Sequence, residues 1–257
     1  MVAPRQDGSS ARKLLRILLS FDAARPSWTV ADLAANVGVP LSTAYRYVGQ
    51  LRDEGLLEVA PGSDGVYRLG PRAAALGHAA AATDSDLVAL ARPHLAALRD
   101  AVDETVVLVR RAGDSVVCID RAESRHPVRL QYELGQTMPG HLGSAARVLL
   151  AHLPEQRRDA YLEQVRADPD VPATAMLDDE SLAKVRESGW TESYEEVDEG
   201  IWGCAAAVRD TYGVVAAIGV AGPLFRLDTP QRHAAVAAVR QAADAVTEAL
   251  LRQSAAS

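Results

Sequence analysis

Cysteine is nearly missing: Cys118 and Cys204 are the two in 257 residues, far apart, in apolar surroundings and without a C-x-x-C spacing. That excludes a disulfide-stapled secreted fold, and both read as reduced core thiols of a cytoplasmic protein. No uninterrupted run of 18 apolar residues exists, and Arg5, Asp7, Arg12, Lys13 and Arg16 precede any stretch that could act as a signal peptide. Neither a membrane span nor an export leader is expected. G-x-G, the Walker sequence, H-E-x-x-H and G-x-S-x-G are all absent, which leaves phosphate cradles, zinc proteases and nucleophile elbows without support. His78, His94, His126, His141, His152 and His233 lack metal-ligand spacing. Asp178-Asp179-Glu180 is explained as acidic complement to a helix dipole. No catalytic residue, metal or cofactor is expected. Lysine is scarce too, with only Lys13 and Lys184, a bias toward arginine that together with abundant alanine points to a GC-rich bacterial genome.

Excess positive charge is the last absence. The net charge of −7 argues against a protein that coats nucleic acid or membrane nonspecifically. The sign is nevertheless uneven: residues 1–80 hold 9 basic and 7 acidic residues, the remainder 18 and 27. Contact with DNA therefore belongs to the N-terminal end, through a few placed phosphate contacts and dimerisation.

What is present there is a helix-turn-helix pattern over Thr29–Leu51. Val30, Leu33, Ala34 and Val37 share one helical face, Gly38 follows, and Thr29 stands where it caps the segment. Small residues at Ala34, Gly38 and Ala44 permit a steep helix crossing. Pro40 sets φ for a second helix, which Ser42 or Thr43 can cap. Ala44, Val48 and Leu51 point to a core. The other face carries Ser42, Arg46, Gly49 and Gln50, flanked by Thr43, Tyr45 and Tyr47, a set suited to the major groove. A solvated helix in a small bundle is the alternative. Leu56–Val59 and Val66–Leu69, separated by the turn-forming 60–65 segment, read as a wing. Arg68 either projects from it toward DNA or is an exposed arginine on an edge strand.

In chain order, residues 1–10 read as disordered, and 11–22 as an amphipathic helix with Leu14, Leu15, Leu18 and Leu19 inward. Arg12, Lys13 and Arg16 near its start reach phosphate or form a solvated basic face. Residues 72–82 read as a small-residue helical connector and 85–102 as a separate helix. Strands are expected over 105–109, 115–120, 128–134, 191–197, 204–209 and 214–220. Helices are expected over 144–152, 154–166, 178–188 and 229–252. The second part is thus an antiparallel α+β domain with helices on one face.

These residues resemble the IclR-type transcriptional regulators over essentially the whole length. LSTAYRYVGQL is similar to that family's recognition helix, Tyr67-Arg-Leu-Gly70 to its wing ending, and Gly140–Ala151 to its effector loop and helix. Glu195-Glu196, Gly200, Cys204-Ala-Ala206 and Gly222-Pro223 match further landmarks in order and spacing. The resemblance implies a winged helix-turn-helix domain at 1–70, a helical linker at 71–82 and a GAF-like antiparallel-sheet effector-binding domain at 83–257. It implies a homo-oligomer, dimer or tetramer, on a palindromic double-stranded DNA operator, responding to a small effector such as an organic acid or aromatic metabolite. DNA contacts fall to Ser42, Thr43, Tyr45, Arg46, Gln50 and Arg68. The chain departs from the family pattern at Ala146-Arg147, usually Gly-Lys, at Ala207, often Pro, and at Gly219 and Ala221, where binders of small carboxylates carry hydroxyls. A less polar pocket wall is expected.

Physically, Gly140 and Gly143 allow close approach to the unpartnered first amides of a helix at Ser144, an anion or carbonyl site, unless Ser144 is a plain cap. The small residues Cys204, Ala205 and Gly219–Ala221 leave a cavity opposite. The expected effector pocket is Leu130, Met138, His141, Gly143, Ser144, Ala145, Cys204, Gly219 and Ala221, with Trp202 as a further wall. Glu195, Glu196, Asp198 and Glu199 read mostly as a solvated loop face, closure of the pocket being the alternative. One enzymatic alternative is a thiol enzyme or redox sensor in which His141 activates Cys204, though acidic neighbours would weaken that thiol.

Overall fold

The computed structural model describes residues 9–22, 25–168, 171 and 177–256; most of the segment expected to be disordered, residues 1–8, lies outside that range. The chain divides into two units, one up to Asp84 and one from Ser85 onward.

In the first unit, helix α1 (Ser10–Leu18) starts one residue earlier than expected, because the Ser9 side chain accepts a hydrogen bond from the Arg12 amide. Its inward stripe is shifted from the expected one. Ile17 is fully buried with Phe21 nearby in the same core, Leu14 and Leu18 pack partly, and Leu15 and Leu19 are exposed. Positions 14, 17, 18 and 21 keep the helical period that a run of leucines conceals. Strand β1 (Ser27–Thr29) leads into α2 (Val30–Val37). Thr29 Oγ1 accepts from the Asp32 amide at 3.1 Å, and Gly38 closes α2 in the left-handed region at φ 68°. Helix α3 (Leu41–Asp53) buries Ala44, Val48 and Leu51 as expected, and also Tyr47. Its N-cap is Pro40 and no side chain caps it; Ser42 and Thr43 lie inside the first turn. Strands β2 (Leu57–Val59) and β3 (Val66–Leu69) form the wing, with β3 central in the order β1-β3-β2.

Helix α4 (Pro71–Val102) is continuous. The break expected before Ser85 is absent: the polar 83–86 run stays helical.

The second unit holds an antiparallel six-stranded sheet in the order β6-β5-β4-β9-β8-β7. Its strands are β4 (Thr105–Ala112), β5 (Ser115–Ala122), β6 (Thr137–Pro139), β7 (Trp190–Tyr194), β8 (Ile201–Asp210) and β9 (Gly213–Pro223). The strand expected at 128–134 does not form. Its carbonyls are taken by side chains instead: Thr105 Oγ1 donates to Leu130 O and Arg226 Nη1 to Val128 O, both at 2.9 Å. The other helices are α5 (Ser144–Ala151), α6 (Glu155–Arg166), α7 (Asp179–Ser188) and α8 (Thr229–Ala256). Asp178 caps α7, its carboxylate accepting from the Ser181 amide at 2.6 Å.

Helices cover both faces of this sheet, not one. On the first face, Leu87, Ala91, Leu95 and Leu98 of α4, with Val239, Ala243 and Val246 of α8, pack on Trp202, Cys204, Ala206, Ile218 and Val220. On the opposite face, α5, α6 and α7 contribute Val148, Leu150, Leu162, Leu182 and Val185 against Val107, Val109, Ala205 and Ala217. A strand buried on both sides reads as a continuous apolar run, which is what VVLV and CAAAV are.

Two consequences are measurable. Thr29→Ala removes the side-chain cap of α2 and should lower unfolding stability by about 1 kcal/mol in urea titration. His152 is half-buried. Its Nδ1 lies 2.8 Å from Val148 O, and its Nε2 lies 3.2 Å from Arg209 Nη2, so the neutral ring satisfies both contacts. Burial, then the Arg209 charge, holds its pKa below 6.5. The unfolded chain then binds the proton more readily. Stability is full above 6.5 and falls as pH drops toward the depressed folded value. The urea midpoint should be lower at about pH 5.5 than at about pH 7.5, by a smaller margin in His152→Gln.

Candidate functional site

The exposed face of α3 presents Ser42, Tyr45, Arg46 and Gln50, with Thr43 and Gly49 half-buried. Arg46 lies over the Tyr47 ring at 5.2 Å and makes no salt bridge among the described residues. The other arginines nearby differ. Arg25 pairs with Asp32, Arg52 with Asp53 and Arg72 with Glu54. Arg68 pairs with Glu58 across β2 and β3 at 2.6 Å, on the central strand and not on an edge. A cleft lined by Ser10, Ala11, Leu14, Arg46, Tyr47 and Gln50 joins the start of α1 to this face. The Ser10 hydroxyl, then Arg46 and Lys13, draw the Tyr47 phenol below its ordinary pKa.

In the second unit a cavity of about 60 Å³ opens between the N-terminus of α5 and the strands β8 and β9. Of the nine residues expected to form an effector pocket, Leu130, Met138, Gly143, Ser144, Ala145, Gly219 and Ala221 line this cavity. His141, Cys204 and Trp202 do not. Side chains alternate across a strand, so with Gly203 and Ala205 turned to the α5 side, Trp202 and Cys204 face α4 and α8. Cys204 and Ala205 are adjacent, so they cannot form one wall. His141 turns away to a separate cleft, where its Nδ1 and Tyr161 Oη are 2.8 Å apart. Cys204 and His141 are therefore on different faces, and burial pushes the thiol pKa far up. That geometry does not favour the thiol-enzyme alternative.

Sequence reasoning missed Gly203 and Ser193, and read the acidic loop mostly as a solvated face with closure of the pocket as the alternative. A Cβ on Gly203 would stand 3.0 Å from Ser193 Oγ and 3.2 Å from Ser144 Oγ, so a bare backbone keeps this corner open. The period-2 signal from Ala205 could have found it. Glu195, Asp198 and Glu199 are exposed and Glu196 is half-buried; of the four, Glu196 and Asp198 line the cavity. Glu196 pairs with Arg147 of α5 and accepts from the Gly143 amide at 3.3 Å. Burial raises its carboxyl pKa against the pull of Arg147 and that amide.

A family model described as the IclR helix-turn-helix domain matches residues 10–61, and one described as the bacterial transcriptional regulator IclR C-terminal domain matches residues 79–248. The chain belongs to the IclR family. The transcriptional regulator TtgV of Pseudomonas putida is 34% identical over 188 residues, 72% of this chain and 70% of its own. The transcriptional repressor AllR of Escherichia coli is 32% identical over 235 residues, 86% and 83% of the two chains. An IclR homolog from Microbacterium hydrocarbonoxydans, crystallised with 4-hydroxybenzoate, superposes with a TM-score of 0.69 at 25% identity, over 94% of this chain and 98% of that one. This IclR-family regulator thus has a DNA-binding and an effector-binding domain. Among the described residues no helix is long and apolar enough to cross a membrane.

At about 60 Å³ the cavity is smaller than the ~150 Å³ that admits a benzene ring, so a ligand of that size must extend out of it or displace part of its lining. Ser144→Trp should fill the remaining space and abolish ligand-induced changes in DNA binding, measured by anisotropy, while binding without ligand persists.

Proposed function

We propose that this IclR-family chain represses transcription by binding a palindromic operator as a dimer or tetramer, with affinity set by a small metabolite in the cavity beside α5. The observation that carries the reading is Arg46, exposed on α3 without an acidic partner among the described residues. A guanidinium in that position can reach guanine O6 and N7 or a phosphate. Thr43 shares this role, with Ser42, Tyr45 and Gln50 in support. Arg68 reaches DNA only by leaving Glu58. Repression is proposed by analogy with AllR, which is named a repressor.

Ligand in the cavity would shift the two-state balance of the paired DNA-binding domains, with the 71–82 connector as the transmitting segment. A few kcal/mol of differential affinity suffices for such a shift. The working place is the cytoplasm, where the operator is.

The test is fluorescence anisotropy on DNA from upstream of the protein's own gene, against scrambled DNA at two salt concentrations. Arg46→Ala should weaken specific binding by about 1–3 kcal/mol while folding and ligand binding persist. Equal affinity of the unaltered protein for both DNAs would contradict operator recognition there, and an unfolded variant would make Arg46 structural.

A further inference from the structure

The N-terminus of α5, an anion site by its free amides, already holds an anion. Glu196 lies with its side chain 8% exposed, paired to Arg147 and accepting from the Gly143 amide. Arg147 is committed, since its Nη1 also donates to Glu192 O at 3.3 Å. Among the described residues lining the cavity there is no lysine, arginine or histidine, while two carboxylates, Glu196 and Asp198, are present. The other polar side chains are the hydroxyls of Ser144, Ser193 and Tyr132, which donate or accept as needed. Val107, Leu130, Met138 and Ile201 supply apolar walls.

We infer that the effector is an uncharged or cationic hydrogen-bond donor on an apolar body, and that carboxylates are rejected. A carboxylate entering this space would meet the Asp198 carboxylate beside a Glu196–Arg147 pair whose cation is already taken, at a desolvation cost nothing repays. An amide, alcohol or ammonium group gives its hydrogens to Glu196 or Asp198. This narrows the expected organic acid or aromatic metabolite, and it rests on the reading of the cavity as the effector site.

The test is calorimetric titration of the full chain, without DNA, by matched probes: benzamide and benzylamine against benzoate, and 4-hydroxybenzamide against 4-hydroxybenzoate. The donors should bind at least tenfold more tightly than the matched carboxylates, and Ser144→Trp should remove that binding. Glu196→Gln frees Arg147 and should shift the preference tenfold or more toward the carboxylate. Asp198→Asn, at an exposed position that tolerates the change, should weaken benzylamine severalfold and leave benzamide unchanged, which keeps the test decisive if Glu196→Gln does not fold. Carboxylates binding as well as their partners, or no donor binding at all, would overturn the inference. A donor that binds yet leaves operator affinity unmoved would instead sink the reading of the cavity as the effector site and leave its ligand class standing.

Discussion

Burial of the six-stranded sheet on both faces is the constraint from which the rest of the second unit follows. The strands β4, β5, β8 and β9 serve two cores at once, so consecutive residues answer to different helices. Bulk on the α4 and α8 side, from Trp202, Ile218 and Val220, anchors the sheet. On the other side Gly203, Gly219 and Ala221 withhold side-chain volume at neighbouring positions of β8 and β9. The cavity lies where that withheld volume meets the N-terminus of α5. It is a gap left by one face of a sheet whose other face is fully packed.

A buried ion pair fixes the rim. Glu104, 2% exposed, takes Arg226 Nε and Nη2 at 2.9 Å each, and Arg226 also holds Val128 O. The irregular segment that carries Leu130 to the cavity is tied down through this contact and through Thr105. Gly222 is required beside it, because a Cβ there would stand 2.6 Å from Glu104 Cδ. Breaking such a pair typically costs about 3–5 kcal/mol, since the remaining charge is stranded. The Gly-Pro landmark thus has a packing reason independent of any ligand.

What the sequence made legible is what rests on local period. Thr29, Gly38 and the Ala44, Val48, Leu51 face of α3 follow from helical spacing and capping alone. Gly143, Ser144 and Ala145 line the cavity because they are small residues at a helix start, and Gly219 and Ala221 because they are small residues two apart on one strand. The failures share a cause of longer range. Whether Cys204 or Gly203 faces the cavity depends on strand phase against helices far away in sequence. Residues 128–134 look like a strand until Thr105 and Arg226 claim their carbonyls. Glu196 and Glu195 are neighbours of like chemistry, and only the turn at Glu195, with φ 53°, separates a buried acid from a solvated one.

Charge pairing follows a common logic in the two units. In the first, Arg25, Arg52, Arg68 and Arg72 are each neutralised by a nearby acid, while Arg12, Lys13, Arg16 and Arg46 make no salt bridge among the described residues. Sequence-independent attraction grows with each phosphate neutralised, so a surface that keeps few free cations holds nonspecific DNA weakly. In the second unit the same neutralisation of Arg147 by Glu196 leaves the cavity without a cation to spend on an anion. Pairing thus decides which charges each unit leaves available: Arg46 on the exposed face of α3 has no acidic partner among the described residues, whereas the Arg147 charge is taken by Glu196.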